Sequence, residues 1–389
     1  MLEKQNELQD FIIAHRRNLH QIPELGLELP QTVAYVTRVL DELDIPYELY
    51  EDISSIVALI KGSGEGKTLA IRADMDALPI REETDLSFQS TNGNMHACGH
   101  DGHTAILLGA AKYLKENSHL FKGNVKLLFQ AGEEYPGGAE PMIQRGALQN
   151  PKVDAVIGLH QGFIHPDVPK GVVGLSYGAL MASMDRFLIK VIGKGSHGAY
   201  PQNSVDAIST AAELVGALNK IVSREIPAVE PCVLSICRIQ GGYNQNILPD
   251  IVELEGTVRA TNQQVREKIA RRIEEISNAI TDAFGASAEV TYDFKYPATV
   301  NDKEFTMFFE KICEEELGKD KVILLEKPVM GGEDMSYFLS EVPGTYFFLS
   351  NPKDGENPVP HHNSKFDIEE DLMMLGCRLF VKTALEYLK

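Results

Sequence analysis

Between His96 and His103 the chain places three histidines, a cysteine and an aspartate in eight consecutive positions, HACGHDGH, although only 11 histidines occur in 389 residues. Imidazole, thiolate and carboxylate together suit zinc or another first-row divalent ion. Four other polar clusters offer partners of the same kind. They are RADMDALP at 72–79, AGEEYPGG at 131–138, His160 closing VDAVIGLH, and PHHNSKFD at 360–367. Cys98, His100, Glu134, His160 and either His361 or His362 make a mixed sulfur, nitrogen and oxygen donor set. Cys98 and His100 are two apart, so an extended loop would turn both to one side. The spacing is too compact for a zinc finger.

Glu133 and Glu134 are adjacent. Neighbours at a strand end cannot easily send both carboxylates to one metal. One can ligate while the other faces the substrate as a base for the attacking water. Asp74 and Asp76 flank Met75, and their expected part is to orient a ligand histidine or hold the loop. His197 in GKGSHGAYP, Asn246 in NQNILPD and Arg259 in GTVRA stand far along the chain from the donor cluster. Spacing alone makes them a structural histidine, a turn residue and a surface charge. Glu333 and Asp334 in GGEDM read as charges in the favourable first turn of a helix. His20, at a helix end in RRNLHQIPELG, reads as structural.

These clusters need a scaffold, and the hydrophobic rhythm supplies one. KTLAIRA (67–73), NVKLLFQ (124–130), VDAVIGLH (153–160) and GTYFFLS (344–350) read as buried strands. TAILLGAAKYLKEN (104–117) and MSYFLSE (335–341) read as helices between them. Strands alternating with helices predict an α/β sheet covered on both faces. Most of the polar clusters then fall at strand carboxyl ends, where open α/β sheets bind ligands. From 185 to 295 the rhythm changes to strands at 185–195, 232–242, 250–260 and 286–295, with long helices at 204–225 and 263–285. That β-α-β-β-α-β order is ferredoxin-like. It predicts an inserted domain at 183–296 and a discontinuous main domain built from 1–182 and 297–389.

A net charge of −19 repels nucleic-acid phosphates and anionic membranes, so neither is an expected partner. The five cysteines, Cys98, Cys232, Cys237, Cys313 and Cys377, are dispersed and do not suggest a disulfide framework. All but Cys98 read as small core residues. The opening MLEKQNELQD is charged where a signal peptide would be apolar. A cytoplasmic enzyme is the expectation.

Taken together, RRNLHQIPELG, RADMDALPI, MHACGHDGHTA, GEE, SHGAYP, GTVRA, GGEDM and HHNSKFDIEE resemble the aminoacylase-type metal-dependent amidohydrolases. The nearest branch holds hippurate hydrolases, N-acyl-L-amino-acid amidohydrolases and auxin-conjugate hydrolases. The resemblance implies a zinc-peptidase-like α/β catalytic domain carrying a ferredoxin-like dimerisation or lid domain. It implies two divalent ions per subunit, Zn²⁺ or Mn²⁺ with Co²⁺ or Ni²⁺ as alternatives, held by Cys98, His100, Glu134, His160 and His362. His362 is selected over His361 because it stands four residues before the aromatic Phe366.

The same resemblance makes Glu133 the general base, His197 an oxyanion stabiliser reaching the partner subunit's site, and Asn246 and Arg259 substrate contacts. Asp74 and Asp76 support the ligands from behind. The implied reaction is hydrolysis of the amide bond of a small N-acyl amino acid to a carboxylic acid and a free amino acid. The alternative is a dipeptidase or small-peptide carboxypeptidase using the same two-metal site. The expected assembly is a homodimer through the inserted domain, with higher homo-oligomers open.

Overall fold

The computed structural model describes residues 2–389. In chain order the first elements are α1 (Leu2–His20), α2 (Pro30–Glu42), β1 (Tyr47–Tyr50), β2 (Ser55–Lys61), β3 (Thr68–Asp74), α3 (His100–Glu116), β4 (Asn124–Gln130), α4 (Ala139–Gln144) and β5 (Ala155–Gly162). Then come β6 (Val173–Leu175), β7 (Ala179–Met181), β8 (Asp185–Ile192), β9 (Ser196–His197), α5 (Ala207–Lys220), β10 (Cys232–Gly241), β11 (Ile247–Leu248), β12 (Ile251–Ala260), α6 (Gln263–Ala283) and β13 (Ser287–Phe294). The chain closes with β14 (Thr299–Val300), α7 (Lys303–Leu317), β15 (Val322–Leu324), α8 (Met335–Glu341), β16 (Gly344–Ser350) and α9 (Met373–Tyr387). Two compact units form. One takes the described residues of Met1–Leu180 with Val300–Val329 and Asp334–Lys389, the other Met181–Thr299 with Met330–Glu333.

The larger unit is built on an eight-stranded mixed sheet in the order β1-β2-β4-β3-β5-β16-β6-β15. β4, β3, β5 and β16 run parallel to one another, and every residue of β3, β5 and β16 is buried. Continuous apolar runs of this kind are what a parallel sheet covered on both faces requires. One core cluster joins α1, α2, α3, α7 and α9 to the sheet through Ile12, Val36, Leu107, Phe309 and Phe380. Going from β3 through α3 to β4 the chain moves one way, and from β4 to β5 it crosses back over β3. A reversal of that kind opens a crevice at the strand carboxyl ends.

α3 begins at His100, four residues before the expected Thr104. The cause is Gly99, whose φ of +84° turns the chain sharply into the helix. Cys98 and His100 therefore flank a turn rather than sharing one side of an extended loop.

The smaller unit has the element order β8-α5-β10-β12-α6-β13 and an antiparallel sheet in the order β10-β12-β8-β13. Its core packs Phe187, Ile189 and Leu254 of the sheet against Leu214 and Ile269 of the helices. The α5 cap is Asp206, which accepts from the amides of Ile208 and Ser209. α5 ends at Lys220, and Ile221–Glu225 continue as a single π-turn.

Two of the four cysteines expected in the core are not there. Cys313 and Cys377 are buried, Cys232 is half-buried, and Cys237 is exposed. Cys237 stands at a register shift between Ile236 and Arg238 on the edge strand β10, and a bulged residue is left outside the ladder. Among the described residues no helix is long and apolar enough to cross a membrane.

Candidate metal centre

Strand ends bring the donors together. β3 delivers Asp74, the loop after β4 delivers Glu133 and Glu134, and β5 delivers His160. Cys98 and His100 come in at the start of α3. Candidate ligand atoms of Cys98, His100 and His160 lie within 4.8 Å of one another, as do those of Cys98, Glu134 and His362. His100, Glu133 and Glu134 make a third such group. Both carboxylates of the Glu pair thus approach one point, which adjacency in sequence had argued against. The loop that follows β4 turns at Gly132, with φ +76°, and frees the two side chains from strand alternation.

Cys98 Sγ is 3.4 Å from His160 Nε2. A thiolate and an imidazole sharing one tetrahedral zinc, with arms of about 2.3 and 2.0 Å, stand about 3.5 Å apart. His160 Nδ1 donates to the carbonyl of Gln161 at 2.9 Å, which leaves the Nε2 lone pair to face Cys98. Both ring nitrogens of His100 are buried without a hydrogen-bond partner, and Nδ1 lies 3.4 Å from Asp76 Oδ1. Glu134 Oε1 is 3.0 Å from His362 Nε2. Lone pairs converge here, and a cation is what such a donor set fits.

The electrostatics show a site that demands positive charge. Burial pushes the Cys98 thiol well up, and the charges of Glu134, Glu133 and Asp74 push it further, so a thiolate needs a nearby cation. Burial lowers the pKa of His100, yet Asp74, Asp76 and Glu134 outweigh it and raise it to about 10. Burial pushes His160 well below the ordinary histidine value. For Glu134, burial opposes ionisation but His362 and His100 overcome it and lower its pKa.

Asp74 and Asp76 brace this cluster from behind. Asp76 Oδ1 accepts from the Glu133 amide and Oδ2 from the Glu134 amide, each at 3.0 Å. Asp74 accepts from Arg72 Nη1 at 2.7 Å and from His103 Nδ1 at 2.6 Å. His361 turns away from the donors and gives its Nε2–H to the Gln161 carbonyl at 3.0 Å. Of the two adjacent histidines only His362, with φ +60°, joins a donor group.

Sequence reasoning missed the part of three contributors, passing over Arg72 and Gln161 and taking Asp334 for a helix-opening charge. Arg72 donates to Asp334 at 2.7 Å and to Gln130 at 2.9 Å. Asp334 accepts as well from Gln130 and from the amides of Gly138 and Ala139 at 2.9 and 3.0 Å. It is a buried counterion rather than a helix-dipole charge. Gln161 is the third, with bonds on both sides of its backbone. For Arg72 and Gln161, only a polar side chain inside an apolar strand could have flagged them. His20 is structural as expected, buried between Asp101 at 2.7 Å and Glu82 at 3.1 Å.

In the smaller unit, His197 on β9 pairs with Ile247 of β11, and Gly198 N donates to the Asn246 carbonyl at 2.7 Å. His197 and Asn246 are thus neighbours, both exposed. The His197 ring accepts from the Ala199 amide through Nδ1 at 3.1 Å, which leaves Nε2 to carry the proton. Arg259 is half-buried on β12 and donates to Thr257 and to the Val258 carbonyl.

Comparison with known proteins places the chain. Residues 70–386 match Peptidase family M20/M25/M40, and the chain belongs to this family and is a metal-dependent amidohydrolase. It is 40% identical over 387 residues to thermostable carboxypeptidase 1 of Saccharolobus solfataricus, covering 98% of this chain and 96% of that one. It is 43% identical over 303 residues to the N-acyl-L-amino acid amidohydrolase of Geobacillus stearothermophilus, covering 76% and 79%. A dinuclear metal-binding peptidase of the M20 family from Bacillus subtilis superposes with a TM-score of 0.86 at 32% identity, covering 98% of this chain and 99% of that one.

Proposed function

We propose that the protein hydrolyses the amide bond of N-acyl amino acids, using two divalent ions held by Cys98, His100, Glu134, His160 and His362. The observation that carries this is the Glu133–Glu134 pair, held by Asp76 through both amides beside a thiol and imidazoles with inward lone pairs. Metal storage alone has no use for the second glutamate. Relatives named N-acyl-L-amino acid amidohydrolase and N-acetyl-L-cysteine deacetylase, the latter from Bacillus subtilis, support the substrate class.

When bound, the ions supply Lewis-acid polarisation of the scissile carbonyl and make water acidic enough to react. Glu133 takes the proton of the attacking water and returns it to the leaving amine. His197, with its proton on Nε2, donates to the tetrahedral oxyanion of the partner subunit's substrate. Asn246 and Arg259 engage the substrate. Residues 183–296 serve as the inserted dimerisation or lid domain of a cytoplasmic homodimer. The thiolate donor favours Zn²⁺, with Mn²⁺, Co²⁺ and Ni²⁺ as functional replacements.

The carboxypeptidase relative favours a second reading, cleavage of dipeptides or small peptides at the same centre. Amine release from N-acetyl and N-benzoyl amino acids and from dipeptides, measured after loading each metal, separates the two. Faster turnover of the acylated substrates supports the proposal; exclusive turnover of dipeptides overturns it.

A further inference from the structure

His103 closes the HACGHDGH cluster, yet it joins neither of the donor groups that contain Cys98. Its bonding explains why. The backbone N–H of Gln161 donates to His103 Nε2 at 2.9 Å. An amide cannot reverse that role, so Nε2 carries no proton and Nδ1 must. The Nδ1–H goes to Asp74 Oδ1 at 2.6 Å. Asp74 is itself anchored by Arg72 Nη1 at 2.7 Å, and Arg72 by Asp334 at 2.7 Å. Both ring nitrogens are thus engaged, Nε2 by residue 161 and Nδ1 by Asp74.

Residue 161 in turn fixes the imidazoles. Its carbonyl accepts from His160 Nδ1 at 2.9 Å and from His361 Nε2 at 3.0 Å. Its side-chain amide donates to the Gly99 carbonyl at 2.8 Å, beside Cys98. The fit is tight, because a Cβ at Gly102 would sit 1.8 Å from the Gln161 amide nitrogen. A chain of bonds therefore runs Asp334–Arg72–Asp74–His103–Gln161–His160, all buried. It ends by setting the ring nitrogen that His160 presents to Cys98.

We infer that His103 is a positioning residue, which through Gln161 locks His160 in the tautomer and orientation that bind metal. The inference rests on the reading of His160 as a ligand. Outer partners of this kind typically contribute about 10–100-fold to metal affinity. The mechanism asks for two hydrogen bonds, not for a ring.

The test uses the full-length metal-free protein, titrated with Zn²⁺ against a chromophoric chelator, with the visible spectrum of the Co²⁺ form as a second readout. His103→Gln and His103→Met are close in length and differ in their ability to hydrogen-bond. Binding of Zn²⁺ about 10–100-fold weaker in His103→Met, with altered Co²⁺ bands and recovery of most of the loss in His103→Gln, supports the inference. Equal affinities in both variants overturn it, whether both match the unaltered protein or both fall together, since the loss would then follow volume and not hydrogen bonds. His160→Ala is the control that separates the two levels. Unchanged affinity there removes the ligand reading and the inference with it. Loss in His160→Ala with none in His103→Met removes the positioning role alone.

Discussion

Arg72 and Asp334 are 262 positions apart and meet at 2.7 Å, both side chains fully buried. The pair ties the end of β3 to the start of α8. Asp334 also receives the Gly138 and Ala139 amides, so one carboxylate holds the far end of the loop that bears Glu133 and Glu134. Charges removed from water in this way are tolerated only when every lone pair is met.

Removing that carboxylate should therefore cost far more than a surface charge would. Asp334→Ala is expected to lower the unfolding free energy by about 3–5 kcal/mol, because Arg72 loses a counterion and two amides lose their acceptor. Denaturant unfolding of the metal-free protein measures it. A loss below about 1 kcal/mol, the scale of an exposed pair, would contradict the role.

His20 should make stability depend on alkaline pH. Burial alone would depress its pKa, but Asp101 and Glu82 outweigh burial and raise it to about 9. A folded-state pKa above the unfolded value of 6.5 stabilises fully below about pH 6.5, and that contribution is lost as pH rises to about 9. The linkage is on the order of 3 kcal/mol. His20→Gln should flatten the pH dependence between 6.5 and 9 relative to the unaltered chain. Parallel curves for the two proteins would show that His20 is not the linked group.

Cys98 should report metal occupancy. Burial and the surrounding carboxylates hold its thiol well above the ordinary value, so the metal-free protein should alkylate slowly, and a bound cation should shield it further. Cys237 is exposed and provides the internal comparison. Mass spectrometry of iodoacetamide-treated protein should find Cys237 modified in both states and Cys98 only after chelation. Equal Cys98 alkylation with and without metal would mean that it is not a ligand.

His197 offers a test that no single variant can. If it serves the neighbouring subunit, His197→Ala and Glu133→Gln should each be inactive alone. In a mixed dimer one site has both defects and the other has neither. Random reassortment makes half the dimers mixed, so roughly a quarter of the original activity should return on co-expression. Mixed dimers, purified with two tags, that remain inactive assign His197 to its own chain or to no site.

Much of this centre was legible because its donors come in local motifs. The Glu pair and His160 each sit at the end of an apolar run that announces a buried strand, and HACGHDGH stands just ahead of the apolar run of α3. The start of α3 was misread because the left-handed turn at Gly99 leaves no mark in hydrophobic periodicity. Asp334 was misread for a different reason. In GGEDM it has the look of a helix-opening charge, and its partners Arg72 and Gln130 are over 200 residues away. Cys237 looked like core because its neighbours Ile236 and Ile239 are apolar, while the bulge that expels it depends on strand pairing. Long-range satisfaction of buried polar groups is the part that one sequence does not display.

Turnover by metal-loaded Glu133→Gln tests the central claim most directly. The substitution keeps the size of the side chain and the backbone bond to Asp76 at 3.0 Å, and removes only the ability to take a proton. Bound metal, measured by elemental analysis, should match the unaltered enzyme, while kcat for an N-acyl amino acid should fall by about 10²–10⁴-fold. Near-normal kcat in a fully loaded Glu133→Gln protein would contradict the account.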